Sequence, residues 1–314
     1  VFIGLCNEAL AAVAETTPTA TTQVYESEAK FFRAYTYFDM VRTFGDVPKI
    51  DFVITKPTDT HVAKSSADVN WHFIESDLNY ALQHLPLSWD KSFEGRLTSG
   101  AAKTLLAKVK LYRKKWNEAL ALTKDVIASN QYELVEPYYQ IYKTGGELNK
   151  ESIFEIQASK VAGDGDFFWS RFGQAQGIRG SGTWDLGWGW NTPTDNLVQS
   201  YQAGDQRKEA TILESGKSDG GSSTGGYGLT LPTLAHKYWN KKVYNRYEDY
   251  LTAGQGTPNN EAQNTWVNQR VLRYADVLLM AAEAANEIGG AANTTDAITW
   301  VNMVRDRAGL AAIT

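Results

Sequence analysis

Apolar side chains recur along the chain at the three- and four-residue spacing of α-helices. Residues 27–44 show this spacing on more than one face, which predicts a helix packed between others, ending at Gly45 and Pro48. The apolar start of the chain also reads as helix through Val13. Single-faced patterns predict further helices at residues 67–84, 99–113, 116–127, 273–288 and 295–308.

Two pairs of these helices resemble helical hairpins. A short basic turn, Lys114-Lys115, joins the first pair, which has about the length of one tetratricopeptide-type repeat. The last two predicted helices repeat the arrangement, with Leu278 and Leu279 where the first pair has Leu105 and Leu106. The pattern therefore predicts a mainly α fold built on a tetratricopeptide-like scaffold of helical hairpins.

The pattern changes between the hairpins. Residues 151–157 alternate as a short strand does, residues 161–191 are rich in glycine and aromatics, and residues 215–228 form a Gly/Ser tract. We therefore expect a long, irregular, loop-rich insertion with a few short strands, and such loops are usually functional.

The predicted organisation is a single domain over residues 1–314. The helical scaffold is expected at residues 1–130 and 270–314, and the ligand-binding insertion at 150–265. Because the chain opens and stops in mid-pattern, we expect it to be a fragment of a longer protein, truncated at both ends.

Composition narrows the function classes. The net charge is −5 and the Lys and Arg residues form no stripe, which argues against nucleic-acid binding. No stretch reaches the length of a membrane span, and no signal peptide is visible. The single cysteine, Cys6, permits no internal disulfide and is expected to be a buried thiol on a helix.

A search for catalytic chemistry finds little. The four histidines show no metal-ligand spacing, and no Gly-rich phosphate motif is present, so neither a metal nor a cofactor is expected. Residues 216–220 match Gly-x-Ser-x-Gly as a string, but a Gly/Ser tract follows where a helix is required, so we expect a flexible loop. Loop carboxylates such as Asp166 and Asp185 keep open a glycoside hydrolase, which needs two facing carboxylates.

Three tryptophans stand among glycines in the insertion: Trp184, Trp188 and Trp190. An indole covers the apolar face of a pyranose and still offers an N–H donor, so these rings suit a sugar. Any one of them could equally pack the loop onto the scaffold, but we expect at least one to meet ligand. The full set of predicted ligand-binding residues is Trp184, Trp188, Trp190, Trp169, Asp185, Arg179 and Asn191.

Several blocks in order resemble the SusD/RagB family of surface glycan-binding lipoproteins. The most specific block, residues 28–48, contains Phe31-Phe32-Arg33-Ala34-Tyr35 and ends in Phe44-Gly45-Asp46-Val47-Pro48. The other matching blocks are residues 100–107, 116–120, 151–157, 193–207, 273–283 and 301–310. Their order over most of the chain makes the resemblance specific, although each block alone is weak.

The resemblance implies a function and a location. Proteins of this family are lipid-anchored at the outward face of the bacterial outer membrane, through an N-terminal lipid that this chain does not include. They bind oligosaccharides without catalysis and pass them to a SusC-like TonB-dependent transporter. A glycoside hydrolase and a protein-interaction helical repeat stay open as alternatives.

Overall fold

The computed structural model describes residues 1–158, 170–252 and 267–314. The chain divides into two compact units: residues 1–132 with 276–297, and residues 133–275 with 298–314. We call them unit 1 and unit 2. The mainly α, tetratricopeptide-like fold class is confirmed, whereas the boundaries of a single domain stay a prediction.

Unit 1 is built from helices, and the first five of them pack on one another in chain order. The helices are α1 (Phe2–Ala14), α2 (Ala20–Phe44), α3 (Ala67–His84), α4 (Ser99–Tyr112) and α5 (Trp116–Ala128), with α10 (Tyr274–Ile288) from residue 276 and α11 (Ala291–Arg307) to residue 297. Contacts join α1 to α2, α2 to α3, α3 to α4 and α4 to α5. After α2, two strands of two residues each, β1 (Val47–Pro48) and β2 (Lys64–Ser65), form an antiparallel pair. This succession of neighbouring contacts is typical of stacked helical hairpins.

Helix ends in unit 1 follow local chemistry. The side chains of Ser66 and Thr98 accept backbone N–H groups at the starts of α3 and α4, so both helices begin where predicted. The helix predicted from residue 27 instead begins at Ala20, because Thr19 and Thr22 form a reciprocal capping box. Gly45, with φ of 71°, ends α2 as predicted.

A buried ion pair ties three helices of unit 1 together. Arg33 of α2 donates through Nε and Nη2 to both carboxylate oxygens of Asp77 on α3, at 2.8 and 2.9 Å. Its Nη1 donates to Asn7 of α1 at 2.8 Å. Cys6 is buried beside them on α1, as predicted, and burial raises the pKa of its thiol.

Unit 2 has short elements around two antiparallel pairs. Its helices are α6 (Phe172–Gln176), α7 (Asp195–Ser200), α8 (Gln206–Thr211) and α9 (Tyr247–Thr252); its strands are β3 (Ser152–Ile156), β4 (Ile212–Glu214), β5 (Tyr238–Asn240) and β6 (Gln269–Arg273). β3 pairs with β6, and β4 with β5. The predicted strand at residues 151–157 is therefore confirmed.

Residues 216–220, predicted to be a flexible loop, form a loop in the structure, and hydrogen bonds hold that loop at Asp219. Asp219 is 2% exposed, and its carboxylate accepts the backbone N–H groups of Tyr227 and Leu229 at 2.9 and 2.8 Å. A bridge between Ser218 and Thr230 closes the turn. One buried carboxylate thus organises the Gly/Ser tract. Because no α-helix begins directly after Ser218, the structure also excludes a catalytic Ser elbow at this position.

None of the described helices is long and apolar enough to cross a membrane.

Candidate functional site

The aromatic loop of unit 2 is built over a small apolar core. The buried residues of this core are Ile178, Leu186, Leu213, Leu231, Trp239 and Tyr244. Trp239, which the sequence left unassigned, is fully buried at its centre. Its indole N–H donates to the hydroxyl of Ser215 at 3.1 Å, so the polar edge of the ring is satisfied.

Backbone pairing fixes the segment that carries two of the predicted tryptophans. The N–H groups of Trp188 and Trp190 donate to the carbonyl oxygens of Gln174 and Ala175 at 2.8 and 2.9 Å. Gly189 lies between them, and its N–H donates to Gly177 at 2.9 Å. The indoles are therefore carried on a backbone with three fixed hydrogen bonds and need little ordering when a ligand binds.

The structure brings Trp188 and Trp190 together. Their ring centroids are 5.1 Å apart and their planes are tilted by 55°. Trp188 is half-buried, whereas Trp190 is 62% exposed. We call these two rings the indole pair. An exposed, angled pair of rings on a rigid backbone offers a curved apolar surface to a ligand in solvent.

Polar side chains flank the indole pair. Arg179 is exposed, and its Cβ lies beside Gly189. Asn191 follows the pair with φ of 55°, and its side-chain amide donates to Oε1 of Gln176 at 2.8 Å. Asn240 donates to the same oxygen at 2.7 Å. These amide and guanidinium groups can hydrogen-bond hydroxyl groups of a ligand lying on the rings.

Trp184 takes a different position from the other two tryptophans. It is half-buried, packs against the apolar core, and stacks on Tyr244 with a centroid separation of 6.2 Å and an interplanar angle of 12°. No ring contact joins it to the indole pair within the described part of the chain. Asp185, next to it, is half-buried. Two of the three tryptophans thus form an exposed pair, whereas Trp184 packs separately against the apolar core.

Some predicted residues lie outside the described part of the chain, and some residues of the site were not predicted. Trp169 lies outside the described residues, as do Asp164 and Asp166. Sequence reasoning missed Gln176, Asn240 and Tyr244, because each reaches the site through tertiary packing and belongs to no local motif. Within residues 1–158, 170–252 and 267–314, no group of three or more His, Cys, Asp or Glu side chains could hold a metal ion.

Comparison with protein families gives two matches that together cover most of the chain. Residues 150–314 match the model described as the SusD family. Residues 2–111 match a second model, described as starch-binding and associating with the outer membrane.

Individual relatives agree with the family matches. SusD-like protein P2 of Formosa agariphila is 30% identical over a 295-residue alignment, which covers 90% of this chain and 56% of the relative. The chain thus spans about half the length of the curated relatives it matches. A solved structure described as a laminarin binding SusD-like protein has a TM-score of 0.82 at 26% identity, covering 99% of this chain and 69% of that one.

A second solved structure shows the same fold. It is surface glycan-binding protein A from Bacteroides thetaiotaomicron in complex with laminarihexaose, with a TM-score of 0.75 at 23% identity over 99% of this chain and 68% of that one. At this level of identity, the likeness concerns the fold alone.

Proposed function

The chain belongs to the SusD family, and from this premise we propose that it is a non-enzymatic protein that binds oligosaccharides at the outer-membrane surface. The observation that carries the proposal is the indole pair. Trp188 and Trp190 lie 5.1 Å apart on a rigid backbone, and Trp190 is 62% exposed. Large exposed rings cost free energy in water, so a surface that keeps them usually has a ligand.

Sugar rings match this surface chemically. The apolar C–H face of a pyranose covers an indole, and its equatorial hydroxyl groups point outward to polar side chains. Arg179 and Asn191 supply such polar groups beside the rings. A solved structure of this fold at 26% identity is described as a laminarin binding protein, which supports the same ligand class here.

The proposed role also includes a transporter that receives the bound sugar. We propose delivery of the glycan to a SusC-like TonB-dependent transporter, with the full-length protein held at the outward face of the outer membrane by an N-terminal lipid. The family description of association with the outer membrane supports this location. We expect the tagged full-length protein to co-purify with a β-barrel transporter encoded beside it. Absence of this transporter from the purified material would contradict the delivery role.

Calorimetry on tryptophan variants tests the sugar-binding role. A glycan array that includes laminarihexaose selects the probe, and Trp188→Ala and Trp190→Ala are then titrated with it. Loss of one stacked ring should lower affinity by roughly 1–3 kcal/mol. Phe44→Ala removes another exposed ring, which lies in unit 1 and is 74% exposed, and this change should leave affinity unchanged. Unchanged affinity in both tryptophan variants would contradict the proposed site.

The hydrolase alternative has its own test. Purified protein is incubated with the same oligosaccharide, and new reducing ends are measured over time. We expect none. Turnover that disappears in Asp185→Ala would favour a glycoside hydrolase, since such enzymes need two facing carboxylates.

A further inference from the structure

A cavity lies in unit 2, close in sequence to the indole pair. It has a volume of about 150 Å³ and is lined by Thr183, Trp184, Leu229, Tyr244, Arg246 and Glu248, among others. Pockets for drug-sized molecules usually measure about 300–1,000 Å³. The size of this cavity therefore suits a single sugar ring better than a drug-sized ligand.

Aromatic rings form the apolar wall of the cavity. Trp184 and Tyr244 are almost parallel, with an interplanar angle of 12° and a centroid separation of 6.2 Å. Trp184 packs against the apolar core, and Leu186 of that core also lines the cavity. The two rings are stacked on each other, and the surface that they leave open to the cavity can contact the C–H groups of a pyranose.

The wall is held in place before any ligand binds. The hydroxyl of Tyr244 donates to Oδ2 of the buried Asp219 at 3.0 Å. The same carboxylate accepts the N–H of Leu229 at 2.8 Å, so one group fixes two parts of the lining. Preorganised walls reduce the conformational entropy lost on binding, which favours recognition of a small ligand.

Both hydrogen-bond donors and hydrogen-bond acceptors line the cavity. Thr183 and Thr230 bring hydroxyl groups, and Glu248 brings a carboxylate. Arg246 brings a guanidinium group that Asp249 holds at 3.0 and 3.2 Å. Donors and acceptors of opposite charge around an apolar wall suit a neutral ligand with many hydroxyl groups.

From this geometry we infer that the Trp184 cavity is a second sugar subsite, which takes a single neutral hexopyranose unit. That unit is a branch or a chain end of a glycan whose main chain lies on the indole pair. The inference rests on the proposed function. Trp184 and Trp188 are four residues apart, so their Cα atoms are at most about 14 Å from each other, which lets one oligosaccharide reach both.

NMR signals of the indole N–H groups allow ligand binding at the cavity and at the indole pair to be followed separately. The protein is labelled with ¹⁵N-tryptophan, and the signals are assigned with Trp184→Phe, Trp188→Phe and Trp190→Phe. It is then titrated with the methyl glycosides of β-glucose, β-galactose and α-mannose. We expect the Trp184 signal to shift and saturate with at least one of the three sugars.

Two matched variants show whether the cavity itself binds. Thr183→Phe places a ring into the cavity from an exposed position on its rim and should weaken the Trp184 response by at least about tenfold. Ser181→Phe adds the same ring two residues earlier, at an exposed position outside the lining, and should leave the response unchanged.

The outcomes separate the subsite from the proposed function. If the Trp184 signal stays still while those of Trp188 and Trp190 move, the cavity is not a subsite and the proposed function stands. If Thr183→Phe binds as the unmodified protein does, the subsite is likewise refuted. If only the Trp184 signal moves, the subsite stands, and calorimetry with the oligosaccharide decides the role of the indole pair. If no signal moves with any of the three sugars, the subsite is refuted, and the same calorimetry decides the proposed function.

Discussion

Glu151 and Arg307 form a fully buried ion pair in unit 2, with 2.6 Å between Oε2 and Nη1. The side chains are 0% and 2% exposed. The Glu151 carboxylate also accepts the N–H of Val135 at 2.9 Å and pairs with Arg273. A single carboxylate thus pairs with two guanidinium groups, of which that of Arg307 is buried and that of Arg273 is partly exposed.

The first prediction follows from this pair. Glu151→Gln removes the negative charge that faces the buried Arg307, and removal of one partner of a buried pair typically costs about 3–5 kcal/mol. We expect a loss of this size in the free energy of unfolding, measured by urea denaturation. Glu133→Gln breaks an ion pair with Lys150 that is 61% and 71% exposed, and should change stability by less than about 1 kcal/mol. Equal losses in the two variants would contradict the role of burial.

The second prediction concerns acid. Burial raises the pKa of Glu75, but hydrogen bonds from Lys110 and Arg113 outweigh burial and lower this pKa below its ordinary value. The stabilisation is therefore fully present above the ordinary pKa and is lost as pH falls through the folded-state pKa. Between pH 7 and pH 3, the urea midpoint should fall further in the unmodified protein than in Glu75→Gln. A parallel fall in both proteins would show that Glu75 makes no such contribution.

The third prediction concerns alkaline pH. Burial, with the nearby charge of Lys241, lowers the pKa of Lys143 to about 8. The unfolded chain then binds more protons than the folded one between pH 8 and the ordinary lysine pKa, so stability rises with pH. From pH 7 to pH 9 this rise should be about 1 kcal/mol.

Lys143→Met provides the comparison for this rise. The variant keeps the length of the side chain over the rings of Tyr227 and Tyr244 but cannot titrate. Its free energy of unfolding, compared with that of the unmodified protein at each pH, should lack the increase. An identical pH profile in the two proteins would exclude Lys143 as its source.

The fourth prediction concerns the backbone under the indole pair. Gly189 has φ of 72°, and an added Cβ would lie 2.9 Å from Cβ of Arg179 and 3.0 Å from Cζ3 of Trp239. Gly189→Ala should therefore cost about 1–3 kcal/mol of stability and displace the rings on either side, with weaker sugar binding by calorimetry.

A second glycine separates backbone strain from crowding. Gly204 has φ of 82° and nothing within 4 Å of an added Cβ, so Gly204→Ala should show only the strain of about 1–2 kcal/mol. Its sugar affinity should equal that of the unmodified protein. Matching effects of the two variants on sugar binding would show that crowding at Gly189 does not position the rings.

Much of the helical scaffold could be predicted from the sequence, because its signals are local. The apolar spacing in residues 67–84 and 99–113, with caps at Ser66 and Thr98, gave α3 and α4 within a residue of their ends. The start of α2 was missed because the Thr19–Thr22 capping box is a weak signal in a threonine-rich stretch. The last helix likewise starts at Ala291, four residues before the predicted position.

The arrangement of the site was decided by tertiary structure. The sequence identified indoles among glycines as the candidate ligand surface, since that signal is compositional. It could not separate Trp184 from Trp188 and Trp190, because the position of each ring depends on Tyr244 and Trp239, some 50 to 60 residues away in the chain. Nor could it foresee that Asp219 orders the Gly/Ser tract, since a carboxylate organises a loop only where folding buries it beside its donors.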